Sequence, residues 1–138
     1  MSSIDAALRA KLAAATAVVA LVGTRIYPDE LPQGTALPAI RYSLVSDVPD
    51  RRVPGFREAR VQVSVYDDAD SPTDANTVAE AVISAISRTD FQMEPASWTA
   101  GSTTFTVITC RHTNGPRLRE PDTRYWHYPV DFLIKYRM

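Results

Sequence analysis

Cysteine and histidine are nearly missing from this chain, which has one cysteine, Cys110, and two histidines, His112 and His127, among 138 residues. A lone cysteine excludes an internal disulfide and any Cys-rich zinc site, as fits a reducing compartment or a fold that needs no staple. Two histidines leave little for a His-based metal centre. An excess of one charge is also missing, since 15 Lys and Arg stand against 16 Asp and Glu for a net charge of −1. No overall field steers such a protein toward nucleic acid or an anionic membrane, and any charged surface is local. The apolar run Leu12 to Val22 has 11 residues, far fewer than the ~20 of a membrane helix. Gly-rich phosphate loops, H-E-x-x-H spacing and a G-x-S-x-G elbow do not occur.

What is present is an ordinary globular composition. With 45% hydrophobic and 22% charged residues, the chain is not disordered, collagen-like or coiled-coil in type. Its length predicts one domain, 1–138, with one core.

Arg9 and Lys11 ahead of an apolar run resemble a secretory signal, but Asp5 in the charged region and the poor cleavage site Val22-Gly23-Thr24 favour a mature amphipathic helix. Ser2 or Ser3 can cap it, with Asp5 near the positive end of the dipole. Ile4, Leu8, Leu12, Ala15, Val19 and Val22 fall on one stripe, and Gly23 closes the helix.

Arg25-Ile26-Tyr27-Pro28 reads as a short extended piece, followed by an irregular connection marked by Pro32, Gly34 and Pro38. Ala39 to Asp47 alternates with Ile40, Tyr42 and Leu44 on one face. Arg57 to Asp67 alternates with Ala59, Val61, Val63 and Val65 on one face. Joined by the turn-rich Val48 to Gly55, the two predict a hairpin. Ser71-Pro72-Thr73-Asp74 predicts the start of a second helix, with Val78, Val82, Ala85 and Ile86 on its apolar face. Phe91 to Trp98 is an ambiguous short strand, whereas Thr103 to His112 is β-branched and aromatic. Arg124 to Tyr136 places Trp126, Tyr128, Val130, Phe132, Ile134 and Tyr136 on one face. Pro129 inside it predicts a sheet edge or a bulge. The expected fold class is α+β, a mainly antiparallel β-sheet with two α-helices packed on one face.

Candidate chemistry is sparse. Cys110 and His112 share a strand face, and a nucleophilic pair can be drawn with Asp131 or His127 as orienter. Strand neighbours two apart stand roughly 6.5–7 Å from one another, too far for direct proton transfer. Cys110 therefore reads first as a small buried hydrophobe. Asp67-Asp68-Ala69-Asp70 concentrates carboxylates, yet no distal glutamate completes a calcium loop, and acids are common before a helix N-terminus. The reading assigns no catalytic residue, no metal and no cofactor.

The arginines are more informative. Arg51 and Arg52 lie in the hairpin loop beside Phe56 and Arg57, while Arg111, Arg117, Arg119 and Arg124 flank a second loop ending in Tyr125-Trp126. Asp47, Asp50, Glu120 and Asp122 are interleaved with them, so each loop is nearly balanced. Mixed charge with aromatics fits a protein interface better than single-stranded nucleic acid. The candidate interface residues are Arg51, Arg52, Phe56, Arg57, Arg117 and Arg119.

Ala20-Leu21-Val22-Gly23 followed by Thr24-Arg25-Ile26-Tyr27-Pro28, then Leu31-Pro32-Gln33-Gly34, Leu37-Pro38-Ala39-Ile40-Arg41-Tyr42 and Arg57 to Tyr66, occur in an order that resembles the tail terminator or tail completion proteins of long-tailed bacteriophages, prophages and gene transfer agents. The resemblance covers nearly the whole chain, and loops 47–56 and 113–122 depart from it in length. It implies a non-enzymatic structural subunit of the virion tail, at the head-tail junction, assembled in the bacterial host cytoplasm. It further implies a ring, commonly a hexamer, on the head-proximal end of the tail tube that ends tube polymerisation and offers a head-tail joining surface. The implied partners are copies of itself, the tail tube protein and the head completion (stopper) protein, with DNA passing through without sequence-specific binding and no membrane. The alternative from the residues alone is a small intracellular enzyme or ligand-binding domain using Cys110, His112 and His127.

Overall fold

A computed structural model describes residues 3–32, 34–68, 73–86, 96–114, 118–119 and 125–137. In chain order the elements are α1 (Ile4–Ala14), α2 (Thr16–Val22), β1 (Ile26–Pro28), β2 (Ala39–Pro49), β3 (Arg57–Asp67), α3 (Thr73–Ile86), β4 (Ala96–Ala100), β5 (Thr103–Asn114), β6 (Leu118–Arg119) and β7 (Trp126–Arg137). The strands form one sheet in the order β1-β2-β3-β7-β5-β4, with β6 added to β7. Every described pairing is antiparallel except β1 on β2, which is parallel. The α+β class and the mainly antiparallel sheet are therefore as expected.

The helix count is not, because the first helix is two. Ala15 leaves the helical region at φ −80° and ψ 113°, and its carbonyl accepts the Val19 N–H as α2 begins. The break rotates the second segment, so Val18 and Val22 are buried while Val19 is 38% exposed. The expected stripe is corrected at Val19, whereas Ala15 is partly buried against the core. Alanine is the best helix former, so Ala15 itself carries no breaking signal, although the β-branched Thr16, Val18 and Val19 that follow lower the propensity. Gly23 ends α2 at φ 60°, a left-handed conformation that glycine adopts without the Cβ penalty. Arg25 then ties the helix end to the sheet. Its Nη2 donates to the Leu21 carbonyl at 3.4 Å and its Nε to the Pro38 carbonyl at 2.8 Å.

The β2–β3 hairpin has the expected phase. Ile40 and Tyr42 on β2 and Ala59, Val61, Val63 and Val65 on β3 are buried against the helices, where α1 contributes Ile4, Leu8 and Leu12 and α3 contributes Val78, Val82 and Ile86. The cap residues Ser71 and Pro72, and residues 91–95 of the ambiguous strand, lie outside the described residues.

β7 departs most from expectation. Pro129 suggested a sheet edge or a bulge, but β7 lies between β3 and β5, with Pro129 opposite Ser64. The sheet-edge alternative is therefore corrected, since β7 is paired on both sides, by β5 as far as Asn114 on Val130 and by β6 from Leu118 on His127. Residues 115–117, between those two pairings, lie outside the described residues. A register shift between Val107 and Thr109 keeps Val107 and Cys110, three apart, on the same buried face.

Val130, Phe132, Ile134 and Tyr136 thus project from the sheet's middle into the core. Phe132→Ala should cost about 3–5 kcal/mol through lost transfer energy and the cavity left behind. Chemical denaturation checks this, and an unchanged midpoint would show that β7 does not hold the core.

Candidate functional site

The hairpin tip, residues 50–56, is built on Asp50. Its N–H donates to the Phe56 carbonyl at 2.8 Å, and its Oδ1 accepts the Arg52 N–H at 2.8 Å. Its Oδ2 lies 2.7 Å from Lys135 Nζ on β7. The Lys135 hydrogen bond, helped by the Arg52 N–H, holds the Asp50 carboxyl below its ordinary value. Gly55, at φ 85°, completes the turn. Arg51, Arg52 and Val53 are left exposed and Phe56 half-buried.

Just behind the tip is a second fastening. Tyr136 on β7 donates its phenol to Asp47 Oδ2 at 2.6 Å, reaching past β3 to β2. Arg57 completes the group, with Nε on Asp47 Oδ1 and Nη2 on the Asp47 carbonyl, both at 3.1 Å. Burial, then the Asp47 hydrogen bond and charge, push the Tyr136 phenol up to about 12. The Asp47 hydrogen bond and charge likewise raise Arg57. Asp50 and Asp47 together fix the tip to the central strand.

The six candidate interface residues therefore separate. Arg51 and Arg52 share the exposed tip, with Phe56 at its base. Arg57 turns inward to Asp47 and serves the tip's foundation. Arg117 lies outside the described residues, and the Arg119 backbone pairs Trp126 in β6. That pairing is at the opposite end of β7 from Lys135, about 30 Å away at ~3.3 Å per residue. Sequence reading missed Asp47, Lys135 and Tyr136 as partners of the loop. The available signals were Asp47 among the loop arginines and the tyrosine hydroxyls, Tyr128 and Tyr136, on an otherwise apolar stripe, since a buried hydroxyl requires a partner.

The alternative constellation is not assembled. Cys110 is buried on the helix side of the sheet, opposite Ile134, while His112 is exposed. His127 lies on the other face, stacked on Tyr66 with centroids 4.5 Å apart, and the Arg41 guanidinium stands 5.7 Å from the Tyr66 ring. Asp131 faces that side too and accepts from Arg60 Nη2 at 2.5 Å. Neither proposed orienter shares a face with the thiol.

The acidic stretch before α3 is described only in part. Asp67 is buried and its Oδ1 accepts the Asp68 N–H at 2.8 Å, with residues 69–70 outside the described ones. Among the described residues, no group of three His, Cys, Asp or Glu side chains could hold a metal ion. No described helix is long and apolar enough to cross a membrane.

The face of the sheet away from the helices carries a cross-strand row, Ser46, Arg60, Leu133 and Arg111, read from the registers of β2, β3, β7 and β5. Leu133 is 43% exposed in it. With the tip, this face presents the mixture of arginine and aliphatic surface that suits protein contacts.

Comparison with known proteins follows the same direction. A family model described as "Tail completion protein gp17" matches residues 6–137. A chain from a structure titled "Virion of native gene transfer agent (GTA) particle" shares the fold at a TM-score of 0.71 and 21% identity, over 99% of this chain and 96% of that one. No curated protein sequence matches the chain significantly.

Tyr136 supplies a test of the fastening. Its raised value favours the un-ionised phenol in the folded state, so this stabilisation is full below pH 10 and is lost as pH rises toward about 12. Tyr136→Phe should cost about 1–2 kcal/mol at neutral pH and flatten the decline in stability between pH 10 and 12. Denaturation followed against pH, beside absorbance titration of tyrosinate, checks both.

Proposed function

The chain belongs to the tail completion protein gp17 family, and from that we propose that it forms a ring on the head-proximal end of the tail tube, stops tube growth and offers the surface that joins tail to head. The family match supports this reading because it runs from residue 6 to residue 137, from within α1 to the end of β7. The likeness therefore belongs to the whole fold rather than to one motif.

The mechanism in this reading is capping. A subunit that binds the last tube ring through one surface and presents a different surface outward replaces the next tube subunit and ends polymerisation. Heterologous contacts between neighbours limit the assembly when their rotation closes. The partners are other copies of the chain, the tail tube protein and the head completion protein, and DNA passes through without being read. The protein works as part of the virion tail, by binding rather than by catalysis.

Purified protein added to polymerising tail tubes should leave rings at one end and shorten the length distribution, as seen by electron microscopy. Tubes that grow on without an added ring would reject the reading. Arg51→Glu/Arg52→Glu should weaken the capping while the circular dichroism is unchanged, because the tip is exposed. The deficit should depend on salt over a Debye length of about 8–10 Å. Cys110→Ser should cap normally, and loss of capping there with normal capping by the arginine variant would favour a thiol-dependent activity.

A further inference from the structure

We propose that the hairpin tip of one copy docks on the Asp29–Glu30 turn of a second copy, head to tail. This rests on the ring reading above and names the two surfaces that close it.

The tip offers unspent positive charge. Asp50 is the carboxylate closest in sequence, and its oxygens are already taken by the Arg52 N–H and Lys135. Among the described residues, no carboxylate pairs with the Arg51 or Arg52 side chains. Val48, 53% exposed, and Val53, 36% exposed, place apolar surface beside them.

At the far end of β2 the pattern is reversed. Asp29 and Glu30 are exposed between the exposed prolines Pro28 and Pro32, with Leu31 half-buried. Among the described residues, no cation pairs with either carboxylate. The turn is held to the sheet, with Asp29 at φ 61° donating its N–H to the Tyr42 carbonyl at 2.8 Å. Two small patches of opposite charge, each with aliphatic or proline neighbours, are complementary in sign and in character.

They cannot meet within one molecule. Tyr42 and Asp50 are eight residues apart, about 26 Å along a strand, and the tip is fastened to β7 by Asp50 and Lys135. Complementary patches at opposite ends of one rigid element define a heterologous contact, the kind that builds rings. A side-by-side pair of antiparallel β2 edges would also match the charges, but it needs a straight free edge. The register shift between Leu44 and Ser46, and Pro49 at the strand end, deny it one. A second copy is favoured over nucleic acid because the tip has only two cations and is rimmed by valine.

Sedimentation velocity of the full chain, alone and with tail tubes, tests this on three variants. They are Arg51→Glu/Arg52→Glu, Asp29→Asn/Glu30→Lys, and all four changes together, each checked for native circular dichroism. Asparagine is chosen at position 29 because it tolerates the left-handed conformation. Each two-site variant should weaken self-association by about tenfold or more, and the four-site variant should recover most of that loss. Two-site variants that assemble like the parent, a four-site variant no better than either pair, or a parent that stops at two copies would overturn the docking and leave capping intact. A parent that stays monomeric both alone and on tubes would overturn the ring reading and the docking together.

Discussion

The rest of the molecule depends on β7 lying between β3 and β5. Pairing on both sides places its four buried side chains, Val130 to Tyr136, in the middle of the core. The helices have a continuous apolar surface to cover only because β7 joins the β2–β3 hairpin to the β5–β4 pair. Pro129 lies within this strand, opposite Ser64 of β3.

This arrangement also divides the sheet by task. One face is apolar and closed by three helices, while the other carries exposed Arg60, Leu133 and Arg111 in one row. The hairpin tip belongs to neither face, yet its posture is set by β7 through Lys135 and Tyr136. An exposed loop on a rigid support suits recognition, since little conformational freedom is lost on contact. The separation of fastening residues from outward ones allows the tip to vary without loosening the sheet.

Much of this was legible in the sequence wherever period and burial coincide. The alternation of Ala59, Val61, Val63 and Val65 was read correctly, as were the hairpin and the apolar face of α3. The failures share a cause, which is that non-local contacts chose among locally equivalent states. The break at Ala15 falls where an alanine run meets β-branched Thr16, Val18 and Val19, and it lets Val18 and Val22 be buried. The shift near Ile108 is invisible to a strict period of two. Arg57 resembled Arg51 and Arg52 until its long-range partner Asp47 separated them. The exposure of Arg51 and Arg52 was readable from turn chemistry, whereas the Asp47–Tyr136 link joins residues that only the folded sheet brings together.

The distance along the chain between β3 and β7 has a consequence for folding. Their paired residues lie roughly 60 to 80 positions apart, so the pairing that unites the sheet carries a large loop-closure cost and forms slowly compared with the hairpin. Until it forms, β3 is the margin of a hairpin whose inner face is Ala59, Val61, Val63 and Val65, a template for adventitious pairing with other nascent chains. Arg57, Glu58 and Arg60 alternate with or flank that apolar run, the positions at which charges interrupt an aggregation-prone strand. Charges at such positions oppose edge pairing in general, so the residues that end at the sheet's margin and on its face away from the helices are also those suited to guard the hairpin before its centre is filled.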